Sequence, residues 1–189
     1  MELVGRARSY GKPVHRYHPG MNRRNYLLVQ TLLMGGAAWA DVPTVRTLDD
    51  ALRWLDKLAQ AREARSTNAW KLRAVLEHLA QSIEMSMDGY PAQKSALFQK
   101  TVGAAAFAYF GWKGQMRHGL TEPIPGAPVL PQLDDWKPGA DRLRAAIARF
   151  QAHSGALRPH FAYGALDKTD FALAHALHIA NHQDDIVVV

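Results

Sequence analysis

Apolar residues along the chain recur at spacings of three and four, the period of helices resting on a core. Strand-like alternation goes no further than the terminal Val187-Val188-Val189. The first helix opens at Thr47, which can cap it, with Asp49 and Asp50 matching the positive helix end. Leu48, Leu52, Leu55 and Leu58 form its buried stripe, and the polar run from Arg62 to Thr67 closes it. A second helix is predicted from about Asn68 to Met87, carrying Trp70, Leu72, Val75, Leu76, Leu79 and Ile83 inward. Asp88-Gly89-Tyr90-Pro91 stops it. A third, from about Ser95 to His118, is apolar almost all round and holds Gly103, Gly111 and Gly114. Such a helix is either deeply buried or runs close to neighbouring backbone. Lys100 and Lys113 interrupt it too often for a membrane span.

Five prolines between residues 119 and 138 (Pro123, Pro125, Pro128, Pro131, Pro138) predict a long irregular crossover. A fourth helix follows at about Gly139–His153, with Leu143, Ile147 and Phe150 facing in. After a loop containing Pro159-His160-Phe161-Ala162-Tyr163-Gly164, a last helix runs from about Asp167 to Ile186. Its opening Asp167-Lys168-Thr169-Asp170 reads as a cap and an acidic first turn. The expected fold is all-α: a helical bundle with one long crossover carrying an extra helix. The sequence has no internal repeat and no glycine-rich phosphate loop.

The chain has no cysteine, which excludes disulfides, thiolate metal sites and a cysteine nucleophile. Its net charge of +6 is unevenly spread. Residues 1–46 hold seven of the 23 Lys and Arg and two of the 17 acids, leaving 16 basic and 15 acidic residues in a nearly neutral body. A duplex-binding surface needs a concentrated basic face, so nucleic acid is not an expected partner.

The N-terminal excess belongs to another pattern. Arg23-Arg24 precedes an apolar run, and Ala38-Trp39-Ala40 is a small-x-small cleavage site. Residues 21–40 are therefore expected to be a twin-arginine export signal, cleaved before Asp41 and read by the Tat machinery, which places the mature protein in the periplasm or outside the cell. Without a working signal it is cytoplasmic. The run from Tyr26 to Trp39 is shorter than the roughly 20 residues of a membrane helix. An uncleaved anchor and an ordinary helix are the competing readings. Met21 directly precedes the signal, so residues 1–20 are expected to be an over-extended or disordered N-terminus, and residues 41–189 the helical domain.

The chemistry lies in nine histidines. In His175-Ala-Leu-His178-Ile-Ala-Asn-His182, His178 and His182 are four apart and stack on one helix face, where they can share a metal ion. His175 lies on much the same face, as a supporting or alternative ligand. A third ligand must come from another element, and His78 is the candidate. It sits mid-helix at the edge of an apolar stripe, where an imidazole needs a partner. The plain alternative is a core histidine bonded to a carbonyl. His118, His153 and His160 fall at helix ends or in loops and suit a rim or the surface. Any ligating histidine needs its second nitrogen held; Glu77, Glu84, Asp88 and Asp185 are candidates by type. Tyr90, Trp112, Trp136, Phe161 and Tyr163 are candidate pocket aromatics, though such residues are more often anchors in a core.

Four stretches carry a family likeness: Glu77 to Pro91 (EHLAQSIEMSMDGYP), Glu122 to Pro128 (EPIPGAP), Pro159 to Gly164 (PHFAYG) and His175 to His182. Over residues 45–186 they resemble a domain-of-unknown-function branch of the DinB/YfiT-like metalloenzyme superfamily. The resemblance implies a four-helix bundle with a long crossover, often a homodimer. It also implies one metal-binding histidine on the second helix and an HxxxH pair on the last, which map onto His78, His178 and His182. The chain departs from that pattern after His182, where the tail is short. Three neutral imidazoles suit zinc or nickel with at least one coordination position open. Three functions compete: a metal-dependent enzyme acting on a small molecule, of thiol-dependent transferase or hydrolase type; a metal-binding protein without catalysis; and a structural or interaction domain.

Overall fold

A computed structural model describes residues 44–188. The N-terminal stretch 1–20 and the export signal, with Arg23, Arg24, Ala38 and Ala40, lie outside the described residues. The elements run α1 (Leu48–Ala59), β1 (Ala64–Ser66), α2 (Leu72–Asp88), α3, α4 (Lys137–Ala152), α5 (Lys168–Gln183) and β2 (Ile186–Val188). Helix α3 is composite: Ala96–Phe98, a π-helical turn Gln99–Gly103, then Ala104–Lys113. The fold is an all-α helical bundle. Helices α1, α4, α2 and α5 pack in a ring in that order, with α2 tightest against α4, while α3 rests on α5 and belongs to the crossover from α2 to α4.

Local chemistry sets the helix ends. Thr47 and Asp50 form a reciprocal capping box at the start of α1, and the Asp167 side chain accepts from the Asp170 N–H at the start of α5. Helix α2 begins at Leu72, later than its apolar pattern predicts, because Asn68 bonds its own backbone instead. Its Oδ1 accepts from Trp70 N–H at 2.8 Å, a turn that competes with helix. The stripe of α1 is centred on Ala51, Trp54, Leu55 and Leu58, with Leu52 at its edge. Trp54, Phe150 and Phe171 are the largest fully enclosed side chains, each contributing about 1.5–3 kcal/mol by burial.

Helix α4 comes so close to α2 that a Cβ on Gly139 would stand 3.0 Å from the Arg73 carbonyl oxygen. Beside this contact Arg142 reaches from α4 to Glu77 and, with two nitrogens, to Glu84 on α2, while Arg73 holds the other oxygen of Glu77.

Two expectations need correction. Helix α3 is not deeply buried: Leu97 is 74% and Trp112 82% exposed, and within it only Gly103 is buried. Close backbone approach is the reason for its glycine. A Cβ at Gly103 would lie 2.0 Å from the Ala162 carbonyl oxygen. Among the described residues no helix is long and apolar enough to cross a membrane. The second correction is β1, which the sequence does not announce. Ala64, Arg65 and Ser66 pair antiparallel with Val188, Val187 and Ile186, so the chain end closes a two-stranded ribbon.

Candidate metal centre

His78 stands near the middle of α2, on the side facing α5; His178 and His182 face it one turn apart on α5. Each offers a ring nitrogen, and the three atoms lie within 4.8 Å of one another. His78 Nε2 is 3.2 Å from His178 Nε2. Two imidazoles bound to one ion at about 2.0–2.1 Å with near-tetrahedral angles would have nitrogens about 3.3 Å apart. The pair thus already has nearly the spacing of two ligands. His182 is fully buried, and neither of its ring nitrogens has a protein partner; nor does Nδ1 of His78. A buried imidazole left this way costs desolvation with no return, and a cation between the rings supplies what is missing. The residues fit a divalent metal ion.

Burial pushes the His78 ring down to about 4, aided by His118, and the His182 ring down to about 3, aided by His78 and His118. His178 is held well below the ordinary imidazole range by burial first and its histidine neighbours second. All three are neutral at pH 7, the form a metal needs.

A fourth imidazole stands beside them. His118, assigned by sequence only to a rim or the surface, comes in from the loop after α3, its ring centroid 4.8 Å from that of His178 and 5.5 Å from that of His182. Its Nδ1 lies 2.8 Å from the Gly119 carbonyl, a contact in which the ring donates. Trp70 covers His78 edge-on at 5.3 Å.

The other candidates do not join the three. His175 is buried, and its Nε2 lies 3.3 Å from Ser86 Oγ. The Asp185 carboxylate accepts from the Thr67 hydroxyl at 3.2 Å. Glu77 and Glu84 are held by Arg142, and Asp88 pairs with Arg149. None of the four carboxylates has a hydrogen bond to a ligand-candidate ring, so the usual carboxylate support behind a metal-bound imidazole is not built here from these residues.

A cavity of about 270 Å³ opens beside the centre, with His78, His178 and His118 in its wall. The crossover supplies Met116, Pro123, Ile124 and Pro125; the loop after α4 supplies His160, Phe161 and Tyr163; Lys94 and Glu122 add charge. Of the candidate aromatics, Phe161 and Tyr163 line it, Tyr90 packs behind His160 and Phe161, Trp136 is in the core and Trp112 faces solvent. The loop is tightly held: His160 and Gly164 exchange backbone hydrogen bonds, and the Phe161 carbonyl accepts from Lys94 N–H and Gln99 Nε2. For His118 and His160 the sequence left a rim and the surface both open, because both sit in loops whose course is set by tertiary contacts; the rim is what the structure shows.

The fold and site define an all-helical bundle with a buried three-histidine cluster beside a small cavity. Residues 43–188 match the family described as "Protein of unknown function (DUF1569)", and the chain belongs to that family. No curated protein and no solved structure matches it.

Proposed function

We propose that the chain binds a divalent metal ion, zinc or nickel by ligand type, through His78, His178 and His182, and acts on a small molecule held in the adjoining cavity. The observation that carries this reading is His182: a fully enclosed ring with two unpartnered nitrogens, facing two further imidazoles. The DinB/YfiT-like resemblance points the same way. When bound, the ion supplies Lewis acidity, as three-histidine sites do when a coordination position stays open. The chain's own residues hold three neutral donors in place, with Trp70 edge-on against His78 and the cavity beside the centre. That cavity favours an enzyme, of thiol-dependent transferase or hydrolase type, over a passive metal carrier or a structural domain, because neither of the latter needs a lined space beside the ion.

Metal analysis of the purified full chain tests the reading. One equivalent of zinc or nickel, lost in His178→Ala, is expected. Substoichiometric metal with unchanged thermal stability in His178→Ala would leave a structural domain. The proposed export through the Tat route rests on Arg23, Arg24 and the Ala38-to-Ala40 site; N-terminal sequencing of exported protein should give Asp41.

A further inference from the structure

Besides His118, two histidines outside the metal cluster line the same cavity, and in each the hydrogen bonds fix which nitrogen carries the proton. His160 Nδ1 receives two backbone N–H groups, from Ala162 and Tyr163, both at 3.2 Å. A proton on Nδ1 would point at two donors, so the ring's proton is on Nε2, which has no hydrogen bond to the described residues. His175 is fixed by a longer route. The Ser86 hydroxyl donates to the Ile83 carbonyl at 2.6 Å, so its oxygen is left to accept, and His175 Nε2–H donates to it at 3.3 Å. His175 Nδ1 therefore carries no proton and is left as an acceptor, with no hydrogen bond from the described residues.

We propose that His160 Nε2–H and His175 Nδ1 form a donor–acceptor pair that binds an uncharged polar head group, a carboxamide or a hydroxyl, on the small molecule. The proposal rests on the reading of this cavity as the substrate site. A carboxamide can accept from His160 through its oxygen and donate to His175 through its nitrogen, and a hydroxyl does both with one atom. A carboxylate has nothing to donate, and its charge would face the bare lone pair of His175. Of the rest of the lining, Met116, Ile124 and Phe161 suit a compact apolar body, while Lys94 and Glu122 supply one charge of each sign and so no net preference for an anion. The cavity volume of about 270 Å³ is in keeping with a small molecule.

The pair is rigid and resists titration. The His160 ring stacks on Tyr163 at 4.3 Å with 9° between planes, and His175 stacks on Phe171 and meets Phe150 edge-on. Burial pushes both rings down to about 3, and no carboxylate is hydrogen-bonded to either, so both stay neutral at physiological pH.

Nitrogen-15 NMR of the histidines in the full chain tests the tautomers directly: both rings are expected as Nε2–H, unchanged from pH 5.5 to 8. A His160 proton on Nδ1 would overturn the proposal. Titration with benzamide and its near-isostere benzoate, with and without one equivalent of zinc, tests the selectivity. In metal-free protein benzamide is expected to bind at least tenfold tighter and to shift the His160 and His175 signals. His160→Phe, which keeps a ring against Tyr163, should erase the preference. Equal binding of the two probes, or of neither, sinks the idea. A protein that takes up no zinc but still prefers benzamide would fail the metal reading alone.

Discussion

The rings of His78 and His178 stand perpendicular with their Nε2 atoms 3.2 Å apart. Two lone pairs at that distance repel unless a proton or a cation lies between them, so each ring's part depends on the other. Replacing either should weaken zinc more than the 10–100-fold that loss of a supporting group costs. Competition with a chelating dye, for wild type, His78→Ala and His178→Ala, measures this.

His182 separates metal binding from folding. In the metal-free protein its two unpartnered nitrogens carry a desolvation cost of about 1–3 kcal/mol with no compensation. His182→Leu, of similar size and apolar, should therefore raise the stability of the metal-free chain by about 1–2 kcal/mol and abolish the extra stability zinc confers. Urea denaturation with and without zinc reads both effects; a variant as zinc-responsive as wild type would remove His182 from the centre.

Acid should weaken the metal-free fold through rings that take no part in the metal cluster. His160 and His175 are bases held at about 3 in the folded chain, against about 6.5 when unfolded. Between those values the unfolded chain binds more protons, so stability falls as pH drops from about 6.5 to about 3 and levels off below. Each ring contributes a slope of up to about 1.4 kcal/mol per pH unit. Denaturation midpoints at pH 7, 6, 5 and 4 should fall progressively, and His160→Phe should flatten the fall.

Gly103 tests how the π-helical turn supports the cavity. A Cβ there would press on the Ala162 carbonyl oxygen at 2.0 Å, and backbone cannot swing aside as a flexible side chain can. Gly103→Ala should destabilise by about 1–3 kcal/mol or more. It should also shift the NMR signals of His160 and Tyr163 while leaving those of His78 nearly in place. Equal stability would mean that α3 and the loop move apart freely.

The helices were legible where caps and stripes are local. Thr47 with Asp50, Asp167 with Asp170, and the leucines of α1 all declare themselves within a few residues. The clustering of His78 with His178 and His182 was also within reach, because a four-residue spacing fixes two rings on one face and an imidazole beside an apolar stripe asks for a partner. What the chain hid was set at long range. The apolar character of α3 left deep burial and close backbone approach both open; Gly103 shows the approach while Trp112 faces solvent, because composition does not tell which face has a neighbour. Ala64-Arg65-Ser66 has no strand pattern and is extended because Ile186 to Val188 pair with it. His118 and His160 reach the cavity from loops whose path depends on Gly119, Gly164 and the Phe161 carbonyl, which no periodicity encodes.

The pairing of Ser66 with Ile186 ties two segments that lead straight into the imidazole-bearing helices: six residues after Ser66 comes Leu72, the start of α2, and His182 lies four residues before Ile186. A slip of one residue along either helix would carry a ring about 1.5 Å along the axis and roughly 100° around it. The short ribbon thus acts as a positional stop for atoms that must agree to a few tenths of an ångström. Cutting the chain after Asp185 removes Ile186 from the edge of the core but leaves the helix caps and the rest of the core in place, so the helices should still form yet slide, and the first property to fade is the sharpness with which the three rings meet.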